Sequence, residues 1–315
     1  VKTKSPLESS GKGYRLPGTN IFLDPLEPVS CAIISHAHGD HAVEGHETVY
    51  CSEGTAALIK SRFKYAAKTI HILPFGETFT LEGIPFSLHA AGHMLGSSQV
   101  KWKKDGLVYN YTGDYKREAD KSCEPYETVK CNVLITEVTF GKENKVHLLA
   151  EESVASFLQY KDINLMIGAY NLGKSQRLTR LINDFASEFR VMIHPKMIPY
   201  HKIYESLGFE LGKWEPYKRE KFKNERGIIY LVPPPVLMNF RPGNHFLRAF
   251  ATGWDEKHRL YDFPFAVSDH VDWPSLIKTI LESEAEEVFT IHGNGEDLKT
   301  ASELKGVQIN TLNID

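Results

Sequence analysis

Short apolar runs broken by Gly, Pro and polar turn residues dominate the first half of the sequence. Ile21–Leu23, Cys31–Ser35, Thr48–Cys51, Thr69–Ile72, Ile84–His89, Ser98–Trp102, Leu107–Thr112 and Asn132–Thr136 read as strands. Several are apolar at successive positions, which is the pattern of a sheet covered on both faces. Thr55–Phe63 reads as an intervening helix. The texture changes near Val146. Glu152–Tyr160 is helical in pattern and Ile163–Gly168 a strand; Ser175–Phe185 is a helix whose Leu178, Leu181, Ile182 and Phe185 share one face. Strand Arg190–His194, a helix near Tyr200–Leu207 and strand Ile228–Val232 continue the alternation, with Trp214–Arg226 a charged loop. Pro233–Pro235 has to leave the ladder, because proline has no backbone donor. Strands Phe265–Val267 and Val288–Ile291, flanking a helix over Pro274–Leu281, return to the texture of the first half. The pattern predicts a sheet domain in two pieces, 1–145 and 261–315, interrupted by an α/β domain at 146–260.

Composition narrows the class only slightly. The 315 residues are 42% hydrophobic and 24% charged, an ordinary globular balance with room for a large core. A net charge of −3 argues against a wholly basic nucleic-acid coat, but not against a groove made positive by bound metals. Cys31, Cys51, Cys123 and Cys131 form no C-x-x-C pair, so neither a zinc ribbon nor a disulfide framework is indicated. With no long apolar segment and no signal-peptide core, the expectation is a soluble cytoplasmic protein with no membrane partner.

The strongest chemical signal is His36-Ala37-His38-Gly39-Asp40-His41, directly after an apolar strand. Three imidazoles and a carboxylate on one tight loop suit a borderline divalent metal. His36 and His38 can serve one ion while Asp40 and His41 reach another. Further candidates lie at later strand ends: His93, which would complete the first set, Asp114, which could bridge both ions, and His292. Asp24 and His89 are read as outer partners that fix an imidazole tautomer.

These stretches, with Ala91–Ser97, Tyr111–Lys116, Thr136–Gly141, Asn171–Leu178, Val267–Trp273 and Thr290–Gly293, resemble the metallo-β-lactamase superfamily. The likeness is to its β-CASP nucleic-acid-processing branch, nearest the ligase-associated DNA exonucleases, also labelled mRNA 3′-end processing factor-like proteins. It covers nearly the whole chain. It implies an αββα sandwich with an inserted β-CASP α/β domain, and a zinc-dependent nuclease, an exonuclease acting on DNA or RNA. Two Zn²⁺ ions, replaceable by Mn²⁺, are the implied cofactors, and a DNA ligase is the implied functional associate. The resemblance makes His292 the ligand completing the second metal site, His270 the proton donor or transition-state contact and Glu137 the residue that orients it. Asp40, Glu137 and His270 are thereby the catalytic candidates. A histidine at position 292 is the pattern of RNA-processing members, whereas the whole-chain likeness points to DNA. Gly39 stands where many such motifs carry Ser, Thr or Ala.

One motif competes. Gly168-Ala169-Tyr170-Asn171-Leu172-Gly173-Lys174-Ser175 matches G-x-x-x-x-G-K-[ST] between a strand and a helix. Lacking a convincing Mg²⁺-binding partner, it reads instead as a contact for nucleic-acid phosphate made by Lys174, Ser175 and Arg177 at a helix N-terminus. Lys213–Lys223, with five basic residues and Trp214, Tyr217 and Phe222 interleaved, reads as a second polynucleotide contact or a solvated loop. The alternatives to a nuclease are a small-molecule phosphoester or thioester hydrolase and a noncatalytic nucleic-acid-binding subunit.

Overall fold

The computed structural model describes residues 5–220, 225–239, 246–254 and 261–312. The chain forms two units. The first comprises Val1–Ala119, Cys123–Val146 and His270–Asp315; the second comprises Asp120–Ser122 and His147–Asp269.

In the first unit, β1 (Glu8–Ser10), β2 (Gly13–Arg15), β3 (Ile21–Leu23), β4 (Cys31–Ile33), β5 (His46–Cys51) and β6 (Ala67–Ile72) make one sheet in that order. Pairing is antiparallel as far as β3 and parallel beyond it. The second sheet holds β7 (Thr78–Leu81), β8 (Ile84–Ala90), β9 (Ser98–Lys104), β10 (Leu107–Tyr111) and β11 (Val133–Glu137). It is completed by β18 (Glu287–Ile291) and β19 (Gln308–Thr311), which lie parallel to β11 and to each other. Leu23, Ile33, Phe86, Leu88, Trp102, Val133 and Ile135 fill the space between the sheets. The alternate residues Leu134 and Val288 pack outward against Leu276, Ile277 and Ile280 of the helix Trp273–Ser283. That two-sided burial explains why β11 is apolar at successive positions. Asp272 starts this helix, its carboxylate accepting the Ser275 N–H at 3.0 Å.

On the other side, helix α1 (Glu53–Arg62) lies against β6. Ser52 caps it, accepting from Thr55 N at 3.2 Å. The hydroxyls of Ser52 and Thr55 also donate to Gly96 O at 2.5 and 2.9 Å, which fastens the loop carrying His93 to the helix. The layers run helix, sheet, sheet, helix, the αββα architecture.

The second unit is built on a parallel sheet in the order β14 (Glu215–Pro216), β13 (Arg190–Ile193), β15 (Ile228–Val232), β12 (Asn164–Gly168), β16 (Phe246–Thr252), β17 (Phe265–Ala266). Leu165, Ile167, Ile229 and Leu231 pack with Val154 of α2 (Ala150–Ala155) and with Leu178 and Ile182 of α3 (Lys174–Phe185). Met166, Met192 and Tyr230 face the other side with Leu237. Phe265 pairs with Ala251 inside this sheet, so the return to the first unit falls at His270 rather than at 261. The four cysteines are free thiols, and burial pushes Cys51 and Cys131 up to about 12. No described helix is long and apolar enough to cross a membrane.

Candidate metal centre

The candidate ligands sit on loops that leave the ends of strands, all within the first unit. The chain turns out of β4 at Ser35, whose N–H and hydroxyl donate to Asp24 at 2.6 and 2.5 Å. Asp24 also accepts from His41 Nδ1 at 2.8 Å and from the Tyr111 hydroxyl at 2.9 Å. This buried carboxylate therefore fixes the His41 ring with Nε2 turned toward Asp114, 3.5 Å from Oδ1. His93 is held by its own turn, with the Ser97 hydroxyl accepting from the N–H groups of His93 and Met94 at 3.0 and 3.2 Å. The turn opens at Gly92, whose φ is +72° and where a Cβ would stand 2.3 Å from Lys116 O. Only glycine satisfies both conditions.

Asp114 lies at the centre. Its Oδ2 is 3.6 Å from His36 Nε2 and 4.0 Å from His93 Nε2. Its Oδ1 is 3.5 Å from His41 Nε2 and 3.3 Å from His292 Nδ1. One oxygen thus faces His36, His38 and His93, and the other faces His41 and His292; each group has ligand atoms mutually within 4.8 Å. Asp40 stands apart, its side chain 77% exposed and its carboxylate 4.0 Å from His41 Nε2. His292 holds a left-handed backbone at φ +58°, a conformation retained against strain.

The electrostatics follow from burial and from this carboxylate. Burial dominates at His36 and holds it well below the usual histidine value, in the neutral form that a ligand requires. At His41 burial also opposes charge, but Asp114 and Asp24 outweigh it and raise the group well above its ordinary value. Asp114 is held far below the carboxylate range despite burial, by His41 and His270 above all.

These residues fit a metal. Among the described residues, His36 Nε2, His41 Nε2 and Asp114 Oδ1 are buried without a hydrogen-bond partner, and the histidine nitrogens stand 3.5–3.6 Å from the Asp114 carboxylate, beyond an ordinary hydrogen bond. Each such group costs about 1–3 kcal/mol unless something else meets it. His38 Nδ1 and His93 Nε2 lie at hydrogen-bonding distance, 3.1 Å, close enough for one cation to be shared between them. The nitrogen and oxygen donors, with no thiolate, suit a borderline divalent ion.

Beside the ligands, His270 Nδ1 is 2.8 Å from Glu137 Oε2. Glu137 is fully buried and accepts from Tyr115 N at 2.8 Å and from the Thr139 hydroxyl at 2.5 Å. Its carboxylate is thus fixed before it orients the imidazole. Ser35, Tyr111, Tyr115 and Thr139, which hold these carboxylates, were not singled out from the sequence. Their signal in the sequence is membership of the matching stretches and of the strand end at Ser35, with nothing to mark their hydrogen bonds.

Three sequence expectations are corrected. His89 does not support the cluster, because its ring nitrogens meet Glu127 and Ser87 at 2.9 and 3.0 Å. Lys174, Ser175 and Arg177 are buried and turned to protein. Lys174 lies 2.9 Å from Asp269 and donates to Val267 O, while Arg177 bonds Asp269, Asp120 and Ser268 O; the Ser175 hydroxyl donates to Asn171 O. A phosphate contact there would expose buried charge, so the three form a structural clamp. In the basic stretch, Trp214 packs on the core and Tyr217 stacks on Tyr230 at 4.3 Å, so neither serves as a stacking platform. Phe222 and Lys223 lie outside the described residues.

An αββα sandwich with histidine- and aspartate-bearing loops at its strand ends is the metallo-β-lactamase architecture. No family model matches the chain. It is 30% identical over 319 residues to a probable DNA ligase of Opitutus terrae, covering 94% of this chain and 30% of that protein. To the endoribonuclease YSH1 of Eremothecium gossypii it is 27% identical over 141 residues, 41% of this chain and 18% of that protein. A solved structure of a protein of unknown function from Enterococcus faecalis V583 superposes with a TM-score of 0.58 at 12% identity, over 90% of this chain and 79% of that one, and supports the fold. The chain spans less than a third of the length of both curated relatives. It belongs to the metallo-β-lactamase superfamily, in its β-CASP branch.

Proposed function

We propose that the chain is a metal-dependent phosphodiesterase acting on nucleic acid, an exonuclease with two Zn²⁺ ions. His36, His38, His93 and Asp114 would hold one ion; Asp40, His41, Asp114 and His292 would hold the other. The observation that carries this reading is the central carboxylate, whose two oxygens address two separate histidine sets. A divalent pair there supplies Lewis acidity toward a phosphoryl oxygen and lowers the pKa of water.

The chain's own residues supply the rest. Asp24 and Ser97 keep His41 and His93 in place before substrate arrives. With Nδ1 of His270 engaged by Glu137, Nε2 is the nitrogen that gives a proton to the departing 3′ oxygen. The other fragment keeps a 5′ phosphate. The name of one relative, a DNA ligase, supports DNA as substrate and a ligase as functional associate; that of the other, an endoribonuclease, supports RNA. Strands of both kinds are therefore the substrates to compare.

Product mapping on single- and double-stranded DNA and RNA, labelled separately at each end, tests the substrate and polarity. Release of mononucleotides from one end is expected; internal cuts would remove the exonuclease assignment. Turnover of small phosphoesters or thioesters alone would favour the small-molecule alternative, and binding without cleavage the noncatalytic one. His270→Ala should lower single-turnover cleavage roughly 10²–10⁴-fold, with metal content and substrate affinity retained. Near-native cleavage by this variant would remove the proton-donor role.

A further inference from the structure

The end of α1 carries cations and rings that the proposed chemistry leaves unused. Lys60, Phe63, Lys64, Tyr65, Lys68 and Ile70 are among the residues lining an open cavity of about 300 Å³, and among the described residues no acidic side chain lines it. Tyr65 is 67% exposed, with the Lys64 ammonium 5.2 Å from its ring centre. Lys68 pairs with Glu47 at 2.8 Å on the surface, which leaves Lys60 and Lys64 as the main source of positive charge. Cations in the last helical turn answer the helix dipole, which accounts for Lys60 and Arg62. Lys64 lies beyond the helix and has no such reason. In a chain of net charge −3, the concentration is local.

The same helix end is joined to the metal-binding loop. Arg62 donates to Ala37 O at 2.8 Å, and its guanidinium lies 2.6 Å from where a Cβ on Gly39 would stand. Arg62 occupies the space the glycine leaves, so the cavity and the loop bearing His38 and Asp40 are held by one element.

We propose that this cavity binds the sugar–phosphate backbone of a single-stranded polynucleotide, with Lys60 and Lys64 pairing phosphates and Tyr65 stacking on a base. The inference rests on the nuclease reading and adds a second contact on the substrate, away from the reacting phosphate. Ammonium groups beside an exposed ring suit a strand whose bases are unpaired, because charge and stacking are met together. An acidic lipid surface would use the charge and leave the exposed ring without a role.

The test measures binding of labelled single-stranded DNA and RNA to the metal-loaded chain across a salt series. Lys60→Ala with Lys64→Ala should reduce the slope of log affinity against log salt by about 1.4, two phosphate contacts at roughly 0.7 each. Tyr65→Ala should weaken binding about 5- to 150-fold with the slope unchanged. Melting and metal content serve as controls for folding. Arg62 is left intact because it braces the metal-binding loop. Wild-type binding with unchanged slope and affinity in both variants would overturn this inference alone. Absence of polynucleotide binding by the wild type would overturn the nuclease reading with it. Loss of affinity for phosphatidylserine vesicles, with oligonucleotide binding intact, would assign the cavity to a membrane surface and overturn the proposal.

Discussion

Two clusters of buried polar side chains sit in the two units, and they differ in what they leave unmet. Around Asp114, imidazole nitrogens and a carboxylate oxygen converge with no hydrogen-bond partner among the described residues. Around Asp269, Lys174 and Arg177 close on carboxylates and backbone carbonyls, and Asn171 Oδ1 is the nearby exception. Both looked like ligand-binding motifs in the sequence. The difference teaches that a ligand site is recognised by polar atoms the fold declines to satisfy, and a structural cluster by those it does.

Three measurements sharpen the contrast. The largest effect should come from the satisfied cluster. Asp269→Ala leaves two buried cations short of a partner and should destabilise the second unit by about 3–5 kcal/mol, read from urea midpoints. Lys174→Ala should also destabilise, with the salt dependence of oligonucleotide binding unchanged; a reduced slope would restore the phosphate reading. The other cluster should respond to ligand instead. Metal at about a thousandfold above its Kd should stabilise the first unit by about 4 kcal/mol. Asp114→Asn should abolish most of that gain, since both histidine sets share this carboxylate. Equal metal stabilisation in the variant would break the comparison.

The smallest effect concerns His201, a buried imidazole on α4 (Ile198–Ser206). It lies 2.9 Å from both Gln176 and Thr179, and Gln176 in turn accepts from Gly173 N at 2.8 Å. Burial lowers its pKa to about 4. Because the folded value lies below the unfolded one, its contribution is full above about pH 6.5 and is lost progressively toward pH 4. The loss should approach about 3 kcal/mol. It is read as the difference between wild type and His201→Gln in urea denaturation at pH 7 and pH 4.5. Parallel behaviour of the two proteins would exclude His201 as the cause.

The histidine–aspartate cluster was legible because its side chains sit on short loops after apolar strands. The structure separates what a linear motif could not. β8 alternates strictly, burying Ile84, Phe86, Leu88 and Ala90, so His89 shares the opposite face with Pro85 and Ser87. Period-two counting would have turned it away from the site. Lys174 and Arg177 gave no such warning, since Asp120 and Asp269 are their partners only through the fold. Four of the strands left unread, β1, β7, β14 and β19, are sheet edges. Ser, Thr, Glu, Gln and Asn fill much of them, because an edge has less apolar surface to cover.

The hydrogen bond from Trp273 N to Lys145 O, 2.9 Å long, joins the points where the chain leaves and re-enters the first unit. It has a consequence for synthesis. As the polypeptide emerges from the ribosome, β11 appears long before β18, the neighbour it pairs with from Val133 to Glu137. Until then that edge of the sheet has no native partner, and His270 and His292 do not yet exist. A second unit able to fold during this interval would replace a long wandering excursion by a fixed connection, reducing the entropy lost when the sheet closes. Every nascent chain short of residue 292 lacks one of the histidines around Asp114, so the cluster is completed only after the whole second unit has been made.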